Sequence, residues 1–399
     1  MGKIKSKELN KNAKPSYTTG DVPDFPEQIY KAYSASSIAF EVGKLVMVLF
    51  VFLVALRLMT GSFQLFGAGL AKELVAISAN PFTSLFIGIL ATAVIQSSST
   101  TTTLIVSLVA AGKLSLMGAV PMIMGANIGT SVTSTIVSLG HIGNRSEFEK
   151  AVAGASVHSF FNIFTVAILF PLEITTHALS RLSGFLAELI EPRPGEEIGT
   201  VLFFIRDTAN WIIQITGENP YICLLLGLAA LFFSLQFLSQ ILRNLVIGRI
   251  EQNMNKYLFR RPFVSLITGL VTTTAVQSSS VTTSLMVPLV ATKKISLERA
   301  FPFIMGANIG TTTTALLASV VMEGPLAVAA LAIAFTHLLF NFLGVCLIFP
   351  VPFIRRIPVF MAESLGRFTR SNRIFGVIYI VVVFFVVPVL LIFINQRFF

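Results

Sequence analysis

The chain has 399 residues, 54% of them hydrophobic and only 12% charged. Soluble domains carry about 25% charge, so this composition excludes a water-soluble globule and indicates a polytopic membrane protein. The net charge of +10 does not mark a nucleic-acid face, because the basic residues cluster at the ends of apolar stretches, as orientation in a bilayer requires. The two cysteines, Cys223 and Cys346, lie far apart in apolar segments. They supply neither a disulfide framework nor zinc-ligand spacing.

Residues 1–37 are polar and rich in lysine, with no apolar core that would make a cleavable signal. They read as a cytoplasmic tail. Repeat 1 covers residues 38–170. It opens with a span over Ile38–Met59, followed by an interfacial stretch over Gly61–Asn80. Pro81–Gly112 is apolar but is interrupted at its centre by Gln96-Ser97-Ser98-Ser99 and four threonines. One helix of that length would reach about 48 Å, more than a bilayer needs. Two half-helices meeting at a polar tip fit better, so 81–112 is expected to be a re-entrant hairpin. Residues 117–139 carry Gly125-Ala126-Asn127-Ile128-Gly129-Thr130. Two glycines bracketing an asparagine predict a broken transmembrane helix. A further span is expected over Ala151–Phe170.

Residues 171–219, with four glutamates and two prolines between Glu188 and Glu197, read as a linker with amphipathic arms. In one arm Arg206 and Asp207 read as an interfacial ion pair. Repeat 2 covers residues 220–349 and keeps the same order. A span over Tyr221–Leu242 leads to a basic helix with Arg243, Arg249, Lys256, Arg260 and Arg261. A hairpin is expected over 262–292, a broken helix over 300–320, and a span over Leu326–Phe349. Residues 350–399 read as a basic loop with Arg355, Arg356, Arg367, Arg370 and Arg373, then a final span.

The halves are copies. Laid without gaps, Pro81–Thr133 and Pro262–Thr314 share 31 identities in 53 positions. The second tip is Gln277-Ser278-Ser279-Ser280, and its partner motif is Gly306–Thr311 around Asn308, both at an offset of 181 residues. Further on, His158 and Asn162 correspond to His337 and Asn341. Three crossings per repeat, an odd number, predict that the repeats are inverted in the membrane. With basic stretches inside, the N-terminus is expected in the cytoplasm and the C-terminus outside.

The chemistry of the tips is neutral and oxygen-rich. The second half-helix of each hairpin presents free N–H groups and the positive end of its dipole, which favours an anion. The first half-helix presents free carbonyls, and with Ser, Thr and Asn oxygens these suit a small hard cation. Neither Gln-Ser-Ser-Ser tip contains Lys or Arg. The plainer reading is that the hydroxyls only pack helices by bonding the carbonyl four residues back; the duplication of both motifs in register argues against it. His158 and His337, with Asn162 and Asn341 on the same helical faces, read as supporting residues with a possible coupling role. No nucleophile–base arrangement, nucleotide-binding loop or HExxH motif is present, so an enzyme is not expected.

At these residues the chain resembles the type II sodium/phosphate cotransporter family, whose mark is the doubled Gln-Ser-Ser-Ser hairpin, each copy followed by Gly-x-Asn-Ile-Gly-Thr. The resemblance runs from about Ile38 to Leu391. It implies an all-α fold with two inverted repeats, an elevator-type motion and a homodimer in the inner membrane of a bacterium. It implies sodium-coupled uptake of inorganic phosphate by alternating access, with sodium as the only metal and no cofactor. The tip residues Gln96, Ser97, Ser98, Ser99, Gln277, Ser278, Ser279 and Ser280, with Asn127 and Asn308, are the implied phosphate contacts. Gln96, Ser98, Asn127, Thr130, Ser278, Asn308, Thr311 and Thr314 are the implied sodium ligands. The chain departs from animal members in lacking the large cysteine-containing loop between the halves, and in carrying Ser159 where they have an acid. A dicarboxylate or sulfate transporter of the same fold, and a non-transporting receptor or scaffold, are the competing readings.

Overall fold

The computed structural model describes residues 35–190, 196–253, 261–322 and 324–398. Most of the expected N-terminal tail and the end of the basic stretch, residues 254–260 with Lys256 and Arg260, lie outside these residues. Among them the structure is helical, without strands.

In chain order the first half contains α1 (Ala35–Leu65), α2 (Gly67–Ser78), α3 (Pro81–Ile95), α4 (Ser98–Ala110), α5 (Leu116–Ser138) and α6 (Arg145–Thr176). Two connecting helices follow, α7 (Ala178–Leu189) and α8 (Glu196–Ile215). The second half contains α9 (Pro220–Asn253), α10 (Pro262–Val276), α11 (Ser279–Ala291), α12 (Leu297–Val320) and α13 (Ala327–Ile348). Then come α14 (Pro352–Ser371), α15 (Ile374–Val381) and α16 (Val387–Phe398), the last two joined by one wide helical turn. Among the described residues, seven segments are long and apolar enough to cross a membrane: α1, α5, α6, α9, α12, α13 and the α15–α16 unit.

Residue chemistry sets the helix ends. Asn80 caps α3, its Oδ1 accepting from the Phe82 N–H at 2.9 Å, and Pro81 fills the first turn. Asn144 caps α6 in the same way through Ser146 and Glu147. At the corner after α6, the buried Glu173 carboxylate accepts from the Leu179 N–H at 2.7 Å and from the Ser180 hydroxyl, which fixes α7.

Three expectations are corrected. The segments over 117–139 and 300–320 are unbroken helices, α5 and α12. Their glycines do not unwind the backbone; they let another helix touch it. A Cβ at Gly125 would lie 1.9 Å from the Leu85 carbonyl oxygen, and one at Gly306 1.9 Å from that of Leu266. One turn on, Gly129 and Gly310 approach the Ile89 and Leu270 carbonyls in the same way. The Gly-x-x-x-Gly spacing therefore packs α5 onto α3 and α12 onto α10 backbone to backbone. Second, the span expected to end at Phe170 continues through Pro171 to Thr176, so the linker begins later. Third, the basic loop expected after residue 350 is the helix α14, which packs along α6.

Replacing Gly125 or Gly306 by alanine is expected to destabilise the protein by about 1–3 kcal/mol, since a carbonyl oxygen cannot move aside as a flexible side chain can. Gly184, inside α7, has open space around it; alanine there should be neutral or slightly stabilising. Thermal unfolding of the detergent-solubilised variants checks the contrast.

Candidate functional site

Both polar tips are built alike. Gln96 ends α3 in the left-handed region at φ 57°, Ser97 is extended, and α4 starts at Ser98. Gln277 and Ser278 repeat this, with Gln277 at φ 57° and α11 starting at Ser279. Ser97 Oγ caps α4 by accepting from the Thr100 N–H at 3.2 Å, and Ser278 Oγ caps α11 by accepting from the Val281 N–H at 3.3 Å. At the second tip Thr273 Oγ1 and Thr282 Oγ1 lie 2.7 Å apart across the break, so the chain turns back on itself there.

The structure brings the two tips' surroundings together. Ser99 Oγ of the first tip lies 3.4 Å from Thr311 Oγ1 on α12 of the second half. Ser98, Ser99 and Ser279 are buried at the starts of their helices, where N–H groups point outward and the dipole favours negative charge. Thr130, Thr311 and Thr314 are buried on the helices that carry the asparagines.

Below the tips lies a network of side-chain amides that joins the halves reciprocally. Asn341 Nδ2 donates to Asn127 Oδ1 at 2.9 Å, and Asn308 Nδ2 donates to Asn162 Oδ1 at 2.9 Å. Each motif asparagine thus meets the asparagine of the other half's His-x-x-x-Asn helix. Asn162 Nδ2 also donates to the Asn127 carbonyl at 2.6 Å, and His158 Nε2 lies 2.5 Å from Asn308 Oδ1. Every member is buried. Asn127 accepts from Asn341 and donates Nδ2 to the Ile123 carbonyl of its own helix at 2.8 Å, while Asn308 uses Nδ2 on Asn162 and Oδ1 on His158, so each keeps a spare lone pair and one N–H. Thr130 likewise donates its hydroxyl proton to the Ala126 carbonyl at 2.9 Å, the back-bonding expected of a packed membrane helix.

The halves are alike in sequence but not in state. Gln277 is 8% exposed and clasped, its Oε1 accepting from Thr314 Oγ1 at 2.7 Å and its Nε2 donating to the Thr274 carbonyl at 2.6 Å. Gln96 is exposed. His158 is paired with Asn308, while both ring nitrogens of His337 are buried without a hydrogen-bond partner.

Among the described residues, no group of three His, Cys, Asp or Glu converges on one point. The amide exchange was not read from the sequence. The signal was there: Asn162 and Asn341 occupy equivalent places in a duplicated chain, and equivalent buried amides can serve one another across the repeats.

A family model described as Na+/Pi-cotransporter matches residues 51–186 and 219–353, one segment in each half. The chain belongs to the Na+/Pi-cotransporter family. The matched segments contain both tips and all four network asparagines. Among curated members, sodium-dependent phosphate transport protein 2B of Pongo abelii is 30% identical, over 96% of this chain and 74% of its own length. The human 2B protein is 31% identical over 87% of this chain and 64% of its own length. The 2A protein of Ovis aries is 33% identical over 91% and 69%. The chain thus spans between 64% and 74% of these relatives. They are named for transport, not for a chemical reaction. No solved structure matches the chain.

Removing Asn162 leaves the buried Asn308 Nδ2 without its acceptor, so Asn162→Ala should cost about 1–3 kcal/mol. The Asn162→Ala/Asn308→Ala double variant should cost less than the sum of the singles, because they share one interaction. A thermal-unfolding double-mutant cycle measures this; strict additivity would contradict the network.

Proposed function

We propose that the chain moves inorganic phosphate into the cell together with sodium, by alternating access around the paired tips. The observation that carries this reading is the contact between Ser99 and Thr311. It places the helix start of one Gln-Ser-Ser-Ser tip against the other half's Gly-Ala-Asn-Ile-Gly-Thr helix, in a family whose curated members are sodium-dependent phosphate transporters.

Phosphate is held by free N–H groups at the starts of α4 and α11 and by the hydroxyls of Ser98, Ser99, Ser279 and Ser280, with Ser97, Ser278, Gln96 and Gln277 at the turns. Asn127 and Asn308 position these helices and lend spare lone pairs. Sodium ions use the oxygens of Thr130, Thr311 and Thr314 and the carbonyls ending α3 and α10. The tips carry no cationic side chain, so sodium supplies the positive charge that lets a phosphate anion leave water. One net positive charge moving inward at 100 mV contributes about 2.3 kcal/mol, enough alone for roughly a forty-fold phosphate gradient.

The unequal tips support alternation. Gln96 is open and Gln277 is clasped by Thr314, as expected of inverted repeats caught in one of two related states. In the opposite state Gln277 opens, and His337 gains the partner on Asn127 that His158 has on Asn308. The elevator motion then carries the tips with α5 and α12, to which the glycine contacts bind them. The N-terminus is assigned to the cytoplasm.

Purified protein in liposomes should accumulate labelled phosphate only under an inward sodium gradient. Uptake at full rate without sodium would overturn the reading, and stronger competition by sulfate or succinate than by arsenate would change the anion. Ser98→Ala and Ser279→Ala should each lower uptake about ten-fold, the effect of one hydrogen bond to a charged group. Ser107→Ala, two turns further along α4, should change it less than two-fold.

A further inference from the structure

We propose that the outer face of α14 is a docking surface for anionic phospholipid headgroups. This goes beyond transport and does not depend on it.

The inner face of α14 is fixed by packing. Pro358, Val359, Ala362, Gly366 and Thr369 are buried, and a Cβ at Gly366 would lie 2.3 Å from the Glu149 carbonyl oxygen of α6. At 100° per residue, Phe353, Phe360 and Phe368 fall on the opposite face, where they are 76%, 64% and 54% exposed. Arg356, Arg367 and Arg370 are exposed along one flank of this stripe, and the Arg367 guanidinium lies over the Phe360 ring at 5.8 Å. Arg370 also reaches Glu149 at 3.1 Å.

Neither water nor hydrocarbon suits this face. Three phenylalanines make an apolar patch that water disfavours, and guanidinium groups are expelled from the bilayer centre. The headgroup layer accepts both. The neighbouring helix agrees. With 32 residues, α6 reaches about 48 Å, against about 30 Å of hydrocarbon. Its polar first turns, Arg145–Lys150, therefore overhang, and that is where the C-terminal half of α14 packs.

The repeat provides an internal control for the sign of charge. In the first half α7 follows α6 as α14 follows α13, and α7 packs on α13, with Thr336 Oγ1 donating to Ser183 Oγ at 3.0 Å. It too shows an apolar outer face, with Leu182, Phe185 and Leu189 exposed. Yet α7 carries one arginine, Arg181, and one glutamate, Glu188, whereas α14 carries four arginines and only Glu363. The shared apolar face is explained by lipid of any kind. The charge found on α14 alone calls for an anion in the same layer, and a guanidinium pairs with a lipid phosphate through parallel N–H groups.

The test uses tryptophan fluorescence. The chain's single tryptophan, Trp211, is changed to phenylalanine, and Phe360→Trp is introduced. The protein is reconstituted in phosphatidylcholine vesicles containing a low fraction of either brominated phosphatidylglycerol or brominated phosphatidylcholine. Both should quench, and the anionic lipid should quench at a much lower fraction. Each arginine near the surface contributes about a five-fold preference, so Arg356→Gln/Arg367→Gln should reduce it by roughly twenty-five-fold. Phe185→Trp on α7 should be quenched equally by both lipids. The proposal is overturned if neither lipid quenches the probe at position 360, which would mean water or a second copy covers α14. It is also overturned if both lipids quench that probe equally in the otherwise unaltered chain. No transport is measured, so a failure of the phosphate reading would leave this outcome unaffected.

Discussion

Between α3 and α5 there is no room for a side chain at Gly125, and between α10 and α12 none at Gly306. Carbonyl oxygens of one helix lie where a Cβ of the other would be. In a bilayer, where burying apolar surface drives little helix association, such contact is a main source of attraction between helices. It also sets position. Each Gln-Ser-Ser-Ser turn is held at the end of a helix that cannot slide on its asparagine-bearing neighbour. The tip and the Gly-Ala-Asn-Ile-Gly-Thr segment thus behave as one rigid piece, and whatever moves the one moves the other.

The pieces are joined by neutral groups. Asn127, Asn162, Asn308 and Asn341 form reciprocal amide bonds, and His158 completes one end. A buried ion pair in the same place would carry a large desolvation penalty and would hold one arrangement strongly. Hydrogen bonds between amides cost less to exchange, particularly where the alternative partner is a chemically identical group in the other half. On the proposed reading, neutral walls also leave the charge balance of the site to its contents: an anion and a cation would stabilise one another there, and either alone would find only dipoles.

Much of this was legible in the chain. Composition gave the membrane class, and the duplicated motifs located both tips to the residue, because four consecutive polar side chains inside an apolar run interrupt any lipid-facing helix and mark where the chain turns. The glycines around Asn127 and Asn308 were misread. Glycine weakens an isolated helix and equally permits a close neighbour, and sequence spacing alone does not say which applies until the partner helix is known. The basic segment after residue 350 failed for a related reason. Its arginines and prolines look like a loop, yet Pro352 sits in the first turn of α14, where proline is tolerated, and Val359, Ala362, Gly366 and Thr369 form a buried stripe at helical spacing. The difference between the exposed Gln96 and the clasped Gln277 could not be read at all, since identical motifs carry no information about which copy is open.

The reciprocal amides also set the order of assembly. The Asn341–Asn127 bond joins residues 214 positions apart, and Asn308–Asn162 joins residues 146 apart. At ribosomal speeds of about 5–20 residues per second, Asn127 waits roughly ten to forty seconds for its partner to be made. During that time the first half holds Asn162 on the Asn127 carbonyl and Asn127 on the Ile123 carbonyl, but the side-chain oxygens of Asn127 and Asn162 lack the donors that Asn341 and Asn308 bring. The Asn341–Asn127 and Asn308–Asn162 bonds therefore close only when the second half meets the first, an intramolecular counterpart of dimerisation.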